Sequence, residues 1–350
     1  MAVSSPQMTF LCFGVGAIGA YIGGSLALAG QKVVFIERPE IAEEIRRRGI
    51  TLHAGGEARH IPNPQVVSSI EAALSHGPFT AAILAVKSFD TAAVLESLKP
   101  YAAGLPPVIS FQNGVENEPA IAAALGNDKV IAGTVTTAIG RKGAGEIAVE
   151  RLRGIGLAAG HPLSLPLAAV MNQAGLRAKT FSNPAAMKWS KLLTNLTANA
   201  SSAILDMTPA QIFAHPGLYR MEARQLRETL RVMRAQNIPV VDLPATPVRA
   251  LAWVIETMPP WAGRLLLMRS VGKGRGEKMP SFHIDLYSGR GKSEVDFLNG
   301  AVARYGKRFH TAAPVNQTLT RILMDMTLGK IPREAYAHRP DRLLAEIPDG

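Results

Sequence analysis

Cysteine is almost missing from this sequence, because its 350 residues include only Cys12. A single cysteine excludes an intrachain disulfide and a cysteine-based metal site. Cys12 lies in an apolar run, so we expect it to be a core residue rather than a nucleophile. The eight histidines show neither an HExxH pattern nor another ligand spacing, and we therefore expect no metal site.

Acidic residues are fewer than basic ones, 27 against 38, which gives a formal net charge of +11. Such an excess is typical of nucleic-acid-binding proteins and of enzymes that handle anionic substrates and polyphosphate cofactors. The basic residues are scattered, and no nucleic-acid motif or aromatic-interleaved basic run accompanies them. We therefore expect no nucleic-acid partner. A nucleic-acid-binding protein stays an alternative, which salt-sensitive binding to DNA or RNA would identify.

Charged residues are absent from positions 9–30, where Ala27-Leu28-Ala29 resembles a signal-peptidase site. No lysine or arginine precedes this run, so the positive region of a signal peptide is missing. We therefore expect a cytoplasmic protein without a membrane partner. The sequence does not define the oligomeric state, and a homodimer is compatible with it.

The same run contains six glycines, and three of them have a functional spacing. An apolar strand precedes Gly14-Val15-Gly16-Ala17-Ile18-Gly19, and a helix of small residues follows, which is the context that the dinucleotide pattern G-x-G-x-x-G requires. Gly14 permits a tight turn, Gly16 lets the backbone approach a pyrophosphate, and Gly19 lets the helix pack close to the strand. The helix N-terminus then offers N–H groups to the phosphates.

A second apolar strand, at 32–37, ends in Glu37 and Arg38. An acid at this point usually binds the 2′-hydroxyl of NAD, whereas a nearby arginine suits the 2′-phosphate of NADP. Arg38, with Arg46–Arg48 nearby, favours NADPH, and Glu37 favours NADH. We predict NADPH.

Further apolar runs have the composition of parallel strands that are buried between helices. The predicted strands lie at 81–87, 106–114 and 129–138, and the predicted helices at 91–101 and 118–125. Together they indicate a Rossmann-type domain.

Polar residues follow two of these strands. Ligands bind at the carboxyl ends of such strands, so Lys87 and Asn113 are candidate site residues, with solvated loops as the alternative. Residues 145–160 are compatible with additional antiparallel strands at the edge of the sheet.

The strand pattern stops near residue 182, and helical patterns follow. We predict two domains, an NADP-binding Rossmann-type domain at 1–182 and an all-α substrate and catalytic domain with a C-terminal tail at 183–350. Ser182 or Asn183 is the expected N-cap of the first helix, with Pro184 at its first position. Helices are predicted at 185–206, 217–236, 246–257, 294–306 and 314–327, loops at 259–260 and 272–278, and a partly mobile tail at 331–350.

Lys191, Asn195 and Asn199 recur every four residues in the predicted helix 185–206, so they form one polar stripe. Asparagine is a mediocre helix former, which suggests that the two asparagines serve in hydrogen bonding. A chance polar face is the alternative.

The stretch SGRGKSEVDFLNG, at 288–300, contains Gly-Lys-Ser, the end of a P-loop. The motif GxxxxGK[ST] requires a glycine at position 286, where Leu286 stands, so a P-loop is excluded. We predict a turn at Gly289–Gly291 and an N-cap at Ser293, with Glu294 and Asp296 in the first helical turn.

From Phe10 to about Gly329, the chain resembles the ketopantoate reductase (2-dehydropantoate 2-reductase) family. The resemblance rests on GVGAIG at 14–19, Arg38, Lys87, QNG at 112–114, WSKLLTNLTANASSAI at 189–204 and PSFHIDLYSGRGKSEVDFLNG at 280–300. It implies NADPH-dependent reduction of a 2-oxo acid to a 2-hydroxy acid, specifically ketopantoate to pantoate in pantothenate biosynthesis.

The resemblance also implies roles for individual residues. Lys191 is expected to be the general acid and Glu294 an active-site acid. The substrate-binding residues are expected to be Asn113, Asn195, Asn199 and Ser281. The residues expected to contact the cofactor are Gly14, Val15, Gly16, Ala17, Ile18, Gly19, Arg38, Lys87, Asn113, Ala138 and Glu294.

The sequence departs from the family pattern near Ser281, where Phe282-His283-Ile284 stand in place of Met-x-Gln. A reductase of the same family that acts on another 2-oxo acid therefore stays an alternative. A non-catalytic NADP(H)-binding redox sensor is a further one. The sensor hypothesis is disfavoured by the presence of Lys191, Asn195 and Glu294, because a sensor needs no proton donor.

Overall fold

The computed structural model describes residues 7–272 and 278–348, in which the chain forms two compact units. The N-terminal unit consists of Met1–Lys188 and a short later segment, Leu243–Thr246. The C-terminal unit consists of Trp189–Asp242 and Pro247–Gly350. The predicted domain boundary at 182/183 stays a prediction.

The strands lie in the N-terminal unit. In chain order they are β1 (Thr9–Phe13), β2 (Lys32–Ile36), β3 (Ile50–Ala54), β4 (Glu57–Ile61), β5 (Gln65–Val67), β6 (Ala81–Leu84), β7 (Val108–Ser110), β8 (Val130–Val135), β9 (Ala138–Gly143), β10 (Glu146–Arg151), β11 (Ile155–Ala158) and β12 (Ala178–Phe181).

A main sheet with the strand order β12-β11-β8-β7-β6-β1-β2-β5 forms the centre of this unit. The neighbouring strands from β5 to β8 are parallel, and β11 is antiparallel to β8. In β1, Phe10 and Cys12 belong to one apolar core, and Leu11 and Phe13 belong to another. The sheet is therefore buried on both faces, which confirms the Rossmann-type prediction and the core position of Cys12.

A second, smaller sheet has the order β4-β3-β10-β9. Here β10 is parallel to β3 and antiparallel to β9. The expectation that 145–160 adds antiparallel strands at the edge of the main sheet was therefore wrong for β10. Strand β11 does join the main sheet antiparallel to β8, but the edge strand next to it is β12. The hairpin of β3 and β4, which we did not predict, supplies the partner strand for β10.

Helices connect the strands of the N-terminal unit. They are α1 (Ala17–Leu28), α2 (Pro39–Arg48), α3 (Ile70–Leu74), α4 (Thr91–Leu98), α5 (Asn117–Leu125) and α6 (Ser164–Gln173). The next helix, α7 (Pro184–Leu196), begins in the N-terminal unit and ends in the C-terminal one. Asn183 Oδ1 accepts the N–H of Ala186 at 2.9 Å, which confirms the predicted cap.

The C-terminal unit is helical, as predicted. It contains α8 (Asn199–Leu205), α9 (Pro209–Ala214), α10 (Pro216–Ala235), α11 (Val248–Thr257), α12 (Pro260–Gly272), α13 (Ser281–Tyr287), α14 (Val295–Arg308), α15 (Pro314–Thr327) and α16 (Pro340–Ala345). Within residues 7–272 and 278–348, none of the helices has both the length and the apolar character needed to span a membrane. The predicted loop at 272–278 lies almost entirely outside the described residues.

The predicted helix at 185–206 is interrupted, because α7 ends at Leu196 and α8 starts at Asn199. Between them Ala198 has a φ of 51°, in the left-handed region. A residue with a side chain seldom adopts this conformation without support from its surroundings. The polar stripe is therefore divided, with Lys191 and Asn195 on α7 and Asn199 at the start of α8.

The described part of the C-terminal tail, 331–348, is packed, which corrects the expectation of a partly mobile segment. Leu343 is fully buried and Tyr336 nearly so. The N–H of His338 donates to the carbonyl of Leu205 at 2.7 Å, and Arg224 donates to the carbonyl of Pro348 at 2.6 Å. The charged residues that suggested mobility lie on the outer side of this segment.

We expect Leu343→Ala to lower the free energy of unfolding by about 2–5 kcal/mol, because it removes buried methyl groups and leaves a cavity. Leu328→Ala is the matched control, since Leu328 is 55% exposed and should change stability by less than about 0.5 kcal/mol. Urea unfolding of both variants tests this expectation. Equal stability of the two variants would show that the tail does not contribute to the core.

Candidate functional site

The glycine-rich turn between β1 and α1 has the geometry that its spacing predicts. Gly14 has a φ of 86°, in the left-handed region that favours glycine. A Cβ atom on Gly19 would lie 1.8 Å from the carbonyl oxygen of Gly14, so a side chain there would push α1 away from the turn. The backbone conformation therefore requires glycine at position 14, and close packing requires glycine at position 19.

The N-terminus of α1 fits an anionic ligand. Gly16 is the N-cap, and no side chain in the described residues caps the helix. A Cβ atom on Gly16 would meet no described atom within 4 Å, so the backbone is open to close approach. N–H groups and the dipole at a helix N-terminus attract phosphates. The turn from Gly14 to Gly19, which includes Val15, Ala17 and Ile18, therefore suits a pyrophosphate.

Glu37 and Arg38, which follow β2, have different surroundings. The Glu37 carboxylate accepts the N–H of Val15 and the N–H of Arg38, each at 2.9 Å. The Glu37 side chain is 15% exposed, whereas the Arg38 side chain is 78% exposed. Glu37 thus supports the glycine-rich turn, and the Arg38 guanidinium is the accessible group of the two. This arrangement favours a cofactor with a 2′-phosphate.

The other cofactor candidates follow neighbouring strands of the main sheet. Lys87 lies after β6, Asn113 lies after β7, and the glycine-rich turn lies after β1. Because these strands are parallel neighbours, their carboxyl ends bring the three loops to one edge of the sheet. Ala138 is the first residue of β9 in the smaller sheet.

A buried polar network connects the loops of Lys87 and Asn113. Ser88 Oγ donates to the carbonyl of Asn113 at 2.8 Å, and Asn117 Nδ2 donates to the same carbonyl at 2.6 Å. Gln112 Nε2 donates to the carbonyl of Val86 at 3.0 Å. These bonds fix the backbone on both sides of Asn113. The sequence suggested Lys87 and the QNG turn, but not the hydrogen bonds by which Ser88 and Asn117 connect the two loops.

Lys188 is a second group that the sequence did not suggest. Its side chain is 5% exposed, and Nζ lies 2.7 Å from a carboxylate oxygen of Glu118. The same Nζ donates to the carbonyls of Gln112, at 2.6 Å, and Gly133, at 3.2 Å. This buried lysine therefore connects the start of α7 to the loop that carries Asn113. In the sequence, Lys188 stands alone between Met187 and Trp189, and no pattern around it predicts these contacts.

We expect Arg38→Ala to raise the Kd for NADPH about tenfold, because a charge-assisted contact to the 2′-phosphate is lost. The Kd for NADH should change less than about twofold, since NADH lacks this phosphate. Arg59→Ala, on the exposed strand β4, is the control for the loss of one positive charge. Fluorescence titration measures these constants. An equal loss of affinity for both cofactors would contradict the role assigned to Arg38.

In the C-terminal unit, Lys191 and Asn195 lie four residues apart on α7, so they share one face of the helix. Both side chains are partly buried. Trp189 of α7 packs edge-to-face on Tyr305 of α14, with 5.2 Å between ring centroids. This contact helps to fix the rotation of α7 about its axis and thereby the direction of the Lys191 face.

Asn199 is committed to hydrogen bonds within the unit. Its Nδ2 donates to the carbonyl of Asn195 at 3.0 Å and to Oγ of Ser281 at 3.3 Å. Its Oδ1 accepts the N–H of Phe282 at 3.0 Å. The structure thus brings Asn195, Asn199 and Ser281 together, and their roles in substrate binding stay predictions. Asn199 is 5% exposed, and its contacts connect the start of α8 to the start of α13.

Glu294 is buried at the N-terminus of α14, where it is the N-cap residue. The predicted cap at Ser293 is therefore displaced by one residue, although Ser293 Oγ still accepts the N–H of Val295 at 3.2 Å. The turn at Gly289–Gly291 is present, and both glycines have positive φ. The pairing of Lys191 with Glu294 stays a prediction.

Glu222, on α10, is a buried acid that the sequence did not single out. Its carboxylate accepts the N–H of Ala198 at 2.8 Å, Oγ of Ser201 at 2.6 Å and Nε2 of Gln225 at 2.6 Å. Burial raises its pKa to about 7, against the lowering effect of these hydrogen bonds. The sequence signal that could have identified Glu222 is its position on the buried face of the amphipathic helix α10.

The raised pKa of Glu222 predicts a pH-dependent stability. The folded state binds the proton more tightly than the unfolded chain, so this contribution is full below about pH 4.5 and is lost as pH rises through about 7. From pH 5 to pH 8 the wild type should lose on the order of 2 kcal/mol relative to Glu222→Gln. Urea unfolding of both proteins across this range measures the difference. Parallel pH curves would refute the shift.

Among residues 7–272 and 278–348, no group of three or more His, Cys, Asp and Glu side chains is arranged to hold a metal ion. Cys12 is buried in the core of the N-terminal unit, where desolvation raises the pKa of its thiol. Its environment is that of a packing residue.

Two protein-family models match the chain. The one described as ketopantoate reductase PanE/ApbA matches residues 10–159, and the one described as ketopantoate reductase PanE/ApbA C terminal matches residues 183–327. All the candidate residues lie in these two ranges.

Individual relatives show the same extent of similarity. The 2-dehydropantoate 2-reductase of Halobacterium salinarum is 25% identical over 319 residues, covering 89% of this chain and 96% of that protein. The enzyme of the same name from Pyrococcus horikoshii is 26% identical, covering 88% and 94%. A crystal structure of a PanE/ApbA family ketopantoate reductase from Ralstonia eutropha has a TM-score of 0.77 at 26% identity, covering 91% and 98%.

Proposed function

Because the chain belongs to the ketopantoate reductase family, we propose that it reduces 2-dehydropantoate (ketopantoate) to pantoate with NADPH. Members of this family are oxidoreductases that act on CH–OH groups with NADP as cofactor. The observation that carries the proposal is the polar cluster of Asn195, Asn199 and Ser281, in which Asn195 shares one face of α7 with Lys191. This reaction assigns the protein to pantothenate biosynthesis.

The N-terminal unit has the residues to hold the cofactor. The turn from Gly14 to Gly19 receives the pyrophosphate, and Arg38 receives the 2′-phosphate. Lys87, Asn113 and the backbone near Ala138 complete the proposed contacts. NADPH, when bound, supplies the hydride that reduces the carbonyl carbon of the 2-oxo acid.

Lys191 is the proposed proton donor. As the carbonyl is reduced, negative charge develops on its oxygen, and the Lys191 ammonium gives this oxygen a proton. General acid catalysis of this kind accelerates a reaction by about 10²–10⁴-fold. The partial burial of Lys191 on α7 limits competing hydration of its ammonium.

The remaining residues orient the substrate and the proton donor. Asn113, Asn195 and Ser281 present amide and hydroxyl groups for the carboxylate and the hydroxyl of the substrate. Asn199 is proposed as a substrate-site residue as well, and its hydrogen bond also holds Ser281. Glu294 holds Lys191, or a water molecule, in place.

The departures next to Ser281 have a local structural explanation. Phe282 is buried, and His283 Nε2 lies 2.7 Å from a carboxylate oxygen of Asp206. The His283 ring also stacks on Tyr287, with 4.1 Å between centroids. Both side chains are engaged in packing and pairing within the C-terminal unit. The departures at Phe282 and His283 therefore do not by themselves require another substrate.

We expect Lys191→Ala to lower kcat by about 10²–10⁴-fold while it leaves the Kd for NADPH within about twofold. Lys191→Arg is the matched variant, because it keeps the positive charge but donates a proton poorly at neutral pH. It should be nearly as inactive as Lys191→Ala. Steady-state kinetics and cofactor titration make the comparison, and near-normal turnover of either variant would contradict the assignment of Lys191.

The substrate is tested by measuring kcat/KM for NADPH oxidation over a panel of 2-oxo acids that includes ketopantoate. We expect ketopantoate to give the highest value. A higher value for another 2-oxo acid would identify a family member with a different substrate, and no turnover with any of them would favour the NADP(H)-binding sensor.

The cytoplasmic location and the homodimer stay predictions.

A further inference from the structure

The break between α7 and α8 is held by side chains that replace the lost helical bonds. An uninterrupted helix would pair the N–H of Ala198 with a carbonyl one turn earlier. Instead this N–H donates to the carboxylate of Glu222 at 2.8 Å. Gln225 Nε2 donates to the carbonyl of Leu196 at 3.2 Å, and Asn199 Nδ2 donates to the carbonyl of Asn195. The break is therefore a specific conformation with its own hydrogen-bond partners.

Glu222 is the central acceptor in this arrangement. It is fully buried, and its carboxylate receives hydrogens from Ala198, Ser201 and Gln225. Ala198 lies within the break, and Ser201 lies in the first turn of α8. One carboxylate thus fixes both the left-handed residue and the first turn of the helix that follows.

The conformation of the break determines where Asn199 lies. Asn199 follows Ala198 directly, and its amide group holds Ser281 Oγ and the N–H of Phe282. If the φ of Ala198 relaxed to helical values, Asn199 would rotate with α8 and these two hydrogen bonds would be lost. The start of α13 is therefore positioned by Glu222 through Ala198 and Asn199.

We propose that Glu222 is a positioning residue for the 2-oxo acid site, because its bond to the N–H of Ala198 sets the break that places Asn199 and Ser281. The inference rests on the proposed function, in which Ser281 and Asn195 contact the substrate. It concerns binding of the 2-oxo acid and leaves cofactor binding, a property of the N-terminal unit, unchanged.

Glu228 offers a matched control on the same helix. It is 2% exposed, and its carboxylate accepts the N–H groups of Val315, at 2.9 Å, and Asn316, at 3.0 Å. Glu228 therefore caps α15 in the same manner as Glu222 supports the break. Removal of either acid leaves buried N–H groups without an acceptor, so both substitutions should lower stability. Only the substitution of Glu222 should disturb Asn199.

The experiment compares Glu222→Ala and Glu228→Ala, together with the corresponding glutamine variants, in the full-length protein. We expect E222A to raise the KM for the 2-oxo acid about tenfold or more, with the Kd for NADPH unchanged. E222Q keeps an acceptor oxygen for Ala198 and should recover most of the wild-type KM. E228A should lower the thermal midpoint comparably and leave the KM within about twofold.

The outcomes separate this inference from the function on which it rests. If the wild type reduces no 2-oxo acid, the proposed function fails, independently of any Glu222 variant. If the wild type is active but E222A leaves the KM unchanged, or E222A and E228A raise it equally, the positioning role is overturned. Should E222A not fold, Ser201→Ala replaces it, because it removes one of the donors to the Glu222 carboxylate. A higher KM in S201A, without a change in the Kd for NADPH, supports the role, and a wild-type KM in S201A overturns it.

Discussion

Every buried backbone N–H and C=O group needs a hydrogen-bond partner, and this requirement shapes the functional loops of both units. In the N-terminal unit, the Glu37 carboxylate accepts the N–H of Val15 in the glycine-rich turn. In the C-terminal unit, the Glu222 carboxylate accepts the N–H of Ala198 in the break between α7 and α8. In both places a side chain from a distant part of the chain stabilises an irregular backbone next to residues that we propose bind a ligand.

The fold of the N-terminal unit was largely predictable because the sequence patterns that indicate it are local. The spacing of Gly14, Gly16 and Gly19 indicates a turn in which Gly19 packs closely on Gly14, and apolar runs such as β1 indicate burial on both faces of the sheet. The parallel sheet then follows from the alternation of strands and helices. Lys87 and Asn113 could be placed at one edge of the sheet because parallel strands share the direction of their carboxyl ends.

The interruption at Ala198 could not be predicted, because its cause is not local. Residues 185–206 have a continuous helical pattern, and nothing in them marks alanine for a left-handed conformation. The stabilising acceptor, Glu222, lies 24 residues away in sequence. The second sheet was missed for a similar reason, since the partner strand β3 of β10 is remote in sequence. The break at Ala198 and the second sheet both depend on contacts between residues that are distant in sequence. The periodicity of a local segment does not indicate such contacts.

The segment Leu243–Thr246 belongs to the N-terminal unit although it is inserted between two parts of the other. The carbonyl of Pro244 accepts the hydroxyl of Thr136 at 2.9 Å, next to the end of β8. The two units are therefore not separable by one cut in the chain. To transfer substrate preference, one could exchange the C-terminal halves of two relatives. Such an exchange would also replace these four residues of the N-terminal unit. A functional chimera needs three junctions, which keep this segment with the unit that it completes.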